Sequence, residues 1–356
     1  MSKLQSPKVA GKNQDESQIS LGEGHTPLLL SRRIGPSLGL RNLHFKLETV
    51  NPSGSYKDRF AAAAVSSMLR EGKKRCIATS SGNTGSALAA YCAAAGISCD
   101  IAVIETAPNE KLKQMAAYGA RVFKVRGFGP DEQITQQVIA CLEQAGNRAG
   151  YSLQISAYRF SPQGMAGVET ISHELTAQLP AGIEHVFVPA GGGGLTLAVA
   201  RGFDCAPPSF SRPRVHCVQP EGNDTIATAL RSGAKTAQPV MCTTKISGLQ
   251  VAVVIDGDQV ISGCRKSGGT GHLVTDNAVW EMQRRMAREE GIFCEPAGAV
   301  ALVGAFNAFS AREIGPEDRV VCIVTGIGFK DIHSVDRMIA DNELPVLEFS
   351  GLEKML

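Results

Sequence analysis

The chain has 356 residues, which exceeds the size of one ordinary hydrophobic core and predicts two domains. Its formal net charge is +2 and 20% of its residues are charged, so composition gives no reason to expect a nucleic acid or a membrane surface as partner. We therefore expect a small-molecule substrate.

Residues 1–17 are polar and contain no apolar segment of the kind found in secretory signals, so we expect a flexible tail there. No apolar run approaches the roughly 18 residues that a membrane-spanning helix requires. Ten cysteines occur without a Cys-x-x-Cys pair, and most lie in apolar runs, where a free cysteine behaves as a small hydrophobic residue. These features favour packing over metal binding and a reducing, cytoplasmic location.

A glycine-bracketed turn at 21–27 leads into an apolar strand, and 44–48 alternates as a second strand. The segment 51–59, Asn-Pro-Ser-Gly-Ser-Tyr-Lys-Asp-Arg, then runs into an alanine-rich helix and places Lys57 at the helix start, where a cation opposes the macrodipole. A lysine with a lowered pKa is a nucleophile and a base, and one use of it is a Schiff base to an aldehyde cofactor. A solvated surface lysine is the alternative.

The second notable segment is Ser80 to Gly85, a small-residue loop between a strand and a helix. Such a loop presents backbone N–H groups and hydroxyls at a helix N-terminus, which suits a carboxylate or a phosphate. An ordinary capped turn explains the same residues.

From residue 76 onward, short β-rich runs alternate with helical patterns, and the alternation restarts after residue 163. This is typical of α/β proteins and predicts two doubly wound, mainly parallel sheet domains. We assign residues 55–160 to a smaller domain and 18–54 with 161–356 to a larger one. The predicted strands are 76–79, 100–104, 121–125, 152–155, 185–188, 214–219 and 319–324. The predicted helices are 85–95, 108–118, 130–148, 164–179, 195–203, 224–231, 276–290 and 296–309. The irregular stretch 240–271 ends in a predicted mobile loop at 267–271.

Four consecutive glycines, residues 191–194, separate a buried-type strand from a helix. Glycine loses the most backbone entropy on folding, so such a run indicates unusual dihedrals or close approach of a ligand, and a phosphate is the expected ligand. The pattern is neither a dinucleotide-binding fingerprint nor a P-loop, because the acidic residue and the Lys-Ser/Thr pair of those motifs are absent. A plain tight turn is the alternative.

Together these segments resemble the fold type II pyridoxal-phosphate enzymes of the tryptophan-synthase-beta type, and within them the threonine synthases. The closer resemblance lies in Gly22–Leu28 (Gly-Glu-Gly-His-Thr-Pro-Leu), Lys57-Asp58-Arg59, Glu290–Ala297 and Thr325–Asp331. Two departures concern the glycine loop, which usually reads Gly-Asn-Ala-Gly-Asn in threonine synthases, and Ile327, which replaces a histidine.

The resemblance implies a role for each matching residue. Lys57 is implied to attach pyridoxal phosphate and to serve as the catalytic base and acid, Asn83 to face the cofactor's phenolic oxygen, and Thr325 to face its ring nitrogen. The residues implied to hold the cofactor are Lys57, Asn83, Gly191, Gly192, Gly193, Gly194, Leu195 and Thr325. The residues expected to contact the substrate are Ser80, Ser81, Thr84, Arg159 and Lys46. Of these, Arg159 matches an arginine that reaches the substrate's phosphate.

The activity implied by the resemblance is conversion of O-phosphohomoserine and water to threonine and phosphate, in a homodimer. The alternatives are dehydration of threonine or serine, β-replacement on an activated serine, and a non-catalytic protein that keeps the fold. Two further points stay open. Glu295 either lines the site or is satisfied by the helix start at 296. The histidines at 173, 185, 216 and 272 do not have the spacing of a metal site.

Overall fold

The computed structural model describes residues 17–251, 254–342 and 344–355, so all of the predicted tail except Ser17 lies outside the described residues. The described residues form ten strands and thirteen α-helices. The strands are β1 (Leu28–Leu30), β2 (Asn42–Leu47), β3 (Arg75–Thr79), β4 (Ser98–Ile104), β5 (Arg121–Val125), β6 (Tyr151–Gln154), β7 (His185–Pro189), β8 (Arg214–Pro220), β9 (Gly271–Val274) and β10 (Arg319–Val324). The helices are α1 (Ile34–Leu38), α2 (Lys57–Arg70), α3 (Asn83–Ala94), α4 (Asn109–Ala117), α5 (Glu132–Gly146), α6 (Pro162–Gln178), α7 (Gly194–Asp204), α8 (Ala227–Ser232), α9 (Gly257–Lys266), α10 (Asp276–Glu290), α11 (Pro296–Ser310), α12 (Ile332–Met338) and α13 (Phe349–Met355).

The strands form two sheets. The larger has the order β1-β2-β10-β7-β8-β9, in which only β1 is antiparallel to its neighbour, and the smaller has the parallel order β5-β4-β3-β6. The predicted α/β class with mainly parallel sheets is confirmed. All strands of the smaller sheet come from residues 75–154, whereas the larger sheet combines 28–47 with 185–324. The domain boundaries themselves remain our proposal.

The central strands are apolar because helices cover both faces of the sheets. Every residue of β7 is buried, and so are all residues of β10 after the first. A parallel sheet buried on both sides favours such continuous apolar runs over alternation. No helix in the described part of the chain is both long and apolar enough to cross a membrane.

The stretch 240–271 was predicted poorly. It contains α9 and ends at the first residue of β9. Neither element was predicted, because the glycines of this stretch are typical of a loop. Residues 267–270 connect α9 to β9, as a loop was predicted to do, and the glycines there let the chain pack closely. A Cβ on Gly269 would lie 1.9 Å from the carbonyl oxygen of Val215, and one on Gly271 would lie 2.2 Å from that of Ala227.

Four loops that follow parallel strands supply the site. Residues 80–82 follow β3, Ser156 follows β6, the glycine loop follows β7, and Thr325 follows β10. The carboxyl ends of parallel strands are where open α/β sheets bind ligands, because helix N-termini converge at that edge. The fold thus places the predicted motifs where a ligand site is expected.

Candidate active site

Lys57 is the first residue of α2 and is half-buried. Its Nζ donates a hydrogen bond to Ser156 Oγ and lies 4.6 Å from the ring centroid of Tyr56. Burial lowers the pKa of Lys57 to about 8, an effect that the charge of Glu295 opposes. The direction agrees with the expectation from the sequence, but the cause is burial rather than the helix start alone. A large fraction of this amine is therefore neutral near pH 8, as a nucleophile requires.

The turn before Lys57 is attached to the loop after β10. Tyr56 N–H donates to the carbonyl oxygen of Thr325 at 3.0 Å, and Ile327 N–H donates to that of Gly54 at 2.9 Å. Gly54 has φ +93°, and a Cβ there would lie 2.8 Å from Ile327 Cγ2. Close approach of the two segments therefore requires glycine at this position.

Glu295 connects two of the predicted cofactor contacts. The Asn83 amide Nδ2 lies 3.1 and 3.0 Å from its two carboxylate oxygens, and Thr325 Oγ1 donates to it at 3.0 Å. Burial raises the pKa of Glu295, and these two hydrogen bonds oppose the rise. The side chain does not cap α11. Of the two interpretations left open by the sequence, the structure favours the one in which Glu295 lines the site.

The glycine loop opens α7. Gly193 has φ +87°, and a Cβ on it would lie 2.6 Å from Val260 Cγ2. On Gly194 a Cβ would lie 3.2 Å from Met165 Cε and 3.4 Å from the Ser156 carbonyl oxygen. Leu195 is buried in the core. The first N–H groups of an α-helix have no partner inside the helix, and the positive end of its dipole favours an anion.

Ser156 joins the glycine loop to Lys57, because its hydroxyl accepts from the lysine and its carbonyl borders Gly194. The sequence analysis missed this residue. The available signal was its position two residues beyond β6, at the carboxyl end of a parallel strand.

The loop at 80–84 precedes and opens α3, and its residues are half-buried. Gly82 N–H donates to Ser80 Oγ at 3.2 Å, and a Cβ on Gly85 would lie 2.5 Å from the Ser80 carbonyl oxygen. The loop is thus folded tightly on itself, with Ser81 and Thr84 beside Asn83 in sequence. This arrangement suits a substrate carboxylate at the helix N-terminus.

A cavity opens beside Asn83 and Glu295, between α4 and the segment that contains Lys330. Lys330 Nζ donates to Gln114 Oε1 at 2.6 Å, and burial lowers its pKa. Lys111 also lines the cavity, where its Nζ donates to the hydroxyl of a neighbouring serine. The sequence analysis named neither lysine. The cavity offers room for a small molecule with two amines on its wall.

Lys46 is not brought to this site. Its side chain is fully buried, and Nζ donates to the Thr26 carbonyl at 2.8 Å, to Glu174 at 2.6 Å and to Gln178 at 2.9 Å. An ammonium group has three donors, so none remains for a substrate. Lys46 therefore belongs to a buried ion network with Arg59 and Glu174, and we do not include it in the proposed site.

Arg159 lies beside the glycine loop with its side chain exposed. The guanidinium is 5.3 Å from the ring centroid of Phe160, and its backbone N–H donates to Asp256 Oδ1 at 3.4 Å. The other Asp256 oxygen would lie 3.7 Å from a Cβ on Gly194. The segment therefore adjoins the expected phosphate position, and a contact from Arg159 to a substrate remains a proposal.

Three histidines that the sequence analysis treated separately lie together. His185 Nδ1 is 2.9 Å from His216 Nε2, and His216 Nδ1 is 3.1 Å from His272 Nε2. Thr270 N–H donates to His216 Nδ1 and Arg231 donates to His272 Nδ1, so these two nitrogens are acceptors. Burial lowers the pKa of His272 to about 4, which favours neutral rings. The ring nitrogens that face one another are occupied by hydrogen bonds, and the cluster is a buried polar network.

The chain is similar in sequence to known proteins. A family profile described as "Pyridoxal-phosphate dependent enzyme" matches residues 19–326. The threonine synthase of Methanocaldococcus jannaschii is 32% identical over 340 residues, which cover 94% of this chain and 81% of that protein. The threonine synthase of Methanosarcina acetivorans is 31% identical over 329 residues, which cover 90% of this chain and 78% of that protein.

Solved structures share the fold. The processed form of threonine deaminase isoform 2 from Solanum lycopersicum superposes with a TM-score of 0.74 at 23% identity, covering 92% of this chain and 90% of that one. Maize serine racemase superposes with a TM-score of 0.73 at 25% identity, covering 89% of this chain and 92% of that one. The same fold therefore occurs in proteins named for different reactions.

Proposed function

Because this chain belongs to the pyridoxal-phosphate dependent enzyme family, we propose that it converts O-phosphohomoserine and water to threonine and phosphate. Its cofactor is pyridoxal phosphate. The observation that carries the proposal is the convergence of Lys57, the group formed by Asn83, Glu295 and Thr325, and the glycine loop at one edge of the fold. The threonine synthases among its relatives support the choice of substrate, a phosphorylated amino acid.

The residues present fit this cofactor. The glycine loop lies at the N-terminus of α7, where unpaired N–H groups suit a phosphate, and burial lowers the pKa of Lys57 to about 8. Lys57 would hold the aldehyde, the glycine loop the phosphate, and Asn83 and Thr325 the ring. When bound, the cofactor supplies an electron sink for charge that develops on the substrate's α-carbon. A neutral hydroxyl such as that of Thr325 at the ring nitrogen favours elimination and replacement over transamination.

The protein's own groups have distinct tasks in this proposal. Lys57 removes and returns protons at the substrate's α and β carbons, with Ser156 Oγ as the acceptor that orients its amine. The loop at 80–84 binds the substrate carboxylate through N–H groups and hydroxyls. General base catalysis of this kind contributes about 10²–10⁴ in rate.

The second candidate is dehydration of threonine or serine, with β-replacement on an activated serine as a related activity. Two observations favour it. The glycine loop lacks the asparagines that threonine synthases usually have there, and the side chain of Arg159 is exposed. Both leave a phosphate leaving group with fewer donors.

The test is incubation of the cofactor-loaded protein with O-phosphohomoserine and, separately, with threonine. We expect release of phosphate with equimolar threonine from the first substrate. Formation of 2-oxobutyrate from threonine without phosphate release from the other substrate would replace the synthase by the dehydratase. Purified protein that fails to attach pyridoxal phosphate, as judged by visible absorbance, would refute both.

A further inference from the structure

Three buried cysteines lie together inside the smaller sheet. Within the described part of the chain, the Sγ atoms of Cys76, Cys92 and Cys99 all lie within 4.8 Å of one another. The first two are 0% exposed and Cys99 is 6% exposed, and none forms a disulfide. Cys76 of β3 and Cys99 of β4 are direct neighbours in the sheet register, and Cys92 reaches them from α3.

These thiols surround a point where three sulfur ligands can bind one atom. Sulfur ligands select soft, thiophilic elements over hard cations. Their surroundings are the hydrophobic core formed by α2, α3 and the smaller sheet. Burial disfavours the charged thiolate at each of the three positions. Groups on the incoming element that take up the thiol protons therefore favour binding.

The apolar surroundings also restrict the charge of the complex. Three thiolates around Cu⁺ would leave a net charge of −2, and around Zn²⁺ a charge of −1, and an uncompensated buried charge is costly. Structural zinc also takes four ligands, and the cluster in the described residues supplies three. Three thiolates around a trivalent centre form a complex with no net charge.

We propose that Cys76, Cys92 and Cys99 form a binding site for a trivalent thiophilic element of the arsenite class. One As(OH)₃ reacts with three thiols: three As–O bonds break, three As–S bonds form, and each departing hydroxyl leaves as water with a thiol proton. No oxidant or reductant takes part. The reagent is uncharged at neutral pH, so it reaches the core through local opening of α3 without desolvating an ion.

The site is separate from the proposed active site. Cys92 lies nine residues beyond Asn83 on α3, which places it about 13 Å along the helix axis. Binding at the cysteines can therefore be measured independently of cofactor attachment and turnover, and the inference does not rest on the proposed reaction.

The experiment uses cofactor-loaded protein in which the three more accessible cysteines are replaced by serine, as Cys141→Ser, Cys205→Ser and Cys242→Ser. Arsenite is added in a phosphine reductant, excess is removed, and arsenic per chain is measured by elemental analysis. Native mass spectrometry then reports the adduct. We expect one arsenic per chain and a mass in which three waters have been lost, which a one-thiol or two-thiol adduct does not give.

Single substitutions in this background identify the ligands. Each of Cys76→Ala, Cys92→Ala and Cys99→Ala should weaken arsenite binding by at least about tenfold, which equals about 1.4 kcal/mol. Cys264→Ala is the matched control, because that thiol is equally buried but lies on α9 outside the cluster.

Three outcomes would overturn the proposal: no arsenic retained, a bound mass that keeps a hydroxyl, or equal losses in the Cys264 and Cys92 variants. The visible absorbance of the cofactor reports folding of each variant. If one of them fails to fold, the adduct mass of the parent protein still decides.

Discussion

Two buried charged clusters lie on either side of the first turn of α2, and they differ in how their charges are paired. In the ion network around Arg59, the guanidinium donates to both oxygens of Glu48 and of Glu174, and Lys46 donates to Glu174 as well. In the site, Glu295 accepts from the neutral side chains Asn83 and Thr325.

The pairing decides what each cluster does. Burial alone would raise the pKa of Glu174, but hydrogen bonds and charges of Arg59 and Lys46 lower it to about 2, so this carboxylate is ionised at all physiological pH. Lys57, two residues from Arg59, donates to a hydroxyl, and burial lowers its pKa to about 8. Fully paired charges hold the turn in place, whereas Lys57, whose partner is neutral, titrates near pH 8 and can transfer protons.

Replacing Lys57 in the site should have the largest effect, which is on turnover. Lys57→Ala should lower kcat by at least about 10²–10⁴-fold, because cofactor attachment and proton transfer are lost together. The denaturation midpoint should change little, and exposed Lys74→Ala should behave as wild type. Near-normal turnover of the Lys57 variant would show that another lysine holds the cofactor.

Breaking the ion network around Arg59 should instead lower the stability of the protein. Arg59→Ala leaves the buried Glu48 without its cation and Glu174 with Lys46 alone. We expect the free energy of unfolding to fall by about 3–5 kcal/mol in urea denaturation. The control is Arg41→Ala, whose ion pair with Glu317 has side chains 71% and 64% exposed and should contribute at most about 1 kcal/mol. Equal losses of unfolding free energy in the Arg59 and Arg41 variants would show that the buried ion network stabilises the protein no more than an exposed ion pair.

Arg159 is an exposed cation beside the site, unlike Arg59. If it reaches the phosphate of O-phosphohomoserine, Arg159→Ala should reduce kcat/KM for that substrate by about 2 kcal/mol in transition-state terms. Threonine dehydration should change far less, and Arg212→Ala, also exposed, serves as the control. Equal losses on both substrates, or none on the phosphorylated one, would remove Arg159 from the site.

The coupling of Glu295 to Lys57 should appear as a pH shift. Pyridoxal phosphate attaches only to the neutral amine, so its rate of attachment to apoprotein should rise as pH passes about 8. Because the charge of Glu295 raises the pKa of Lys57, Glu295→Gln should move this midpoint to lower pH, as followed by visible absorbance. Glu132→Gln, at an exposed position outside the cavity beside Glu295, should leave the midpoint in place. An unchanged midpoint for Glu295→Gln would mean that the carboxylate carries no charge toward Lys57.

The smallest expected effect is on the pH dependence of stability, to which Glu174 and His272 should contribute in different pH ranges. The folded pKa of His272 is about 4 against 6.5, so the unfolded chain binds more protons and stability falls as pH drops from 6.5 to 4. The folded pKa of Glu174 is about 2 against 4.5, so its contribution is lost between those values. The free energy of unfolding, measured as a function of pH, should no longer fall between pH 6.5 and 4 in His272→Phe. In Glu174→Gln it should no longer fall between pH 4.5 and 2. A pH dependence that neither variant alters would contradict this assignment.

Elements with strong local signals were predictable from the sequence. Helix α10 has the predicted bounds because its apolar periodicity is bracketed by Thr275, whose side chain accepts from Ala278 N–H, and by Gly291 in the left-handed conformation. Strand β10 likewise has its predicted bounds. The region of α9 and β9 was not predictable, because glycines such as Gly269 and Gly271 are typical of loops. Here they are required because the backbone passes close to the backbone of Val215 and Ala227.

The sequence by itself determined the alternation of strands and helices and the position of Lys57 at the start of a helix, because these depend on neighbours within one or two turns. Only the tertiary structure decided which buried groups are paired. Lys46 meets Glu174, 128 residues away, whereas Lys57 meets a hydroxyl. Strand order brings such partners together, and burial together with the partner sets the pKa and therefore the reactivity of such a group.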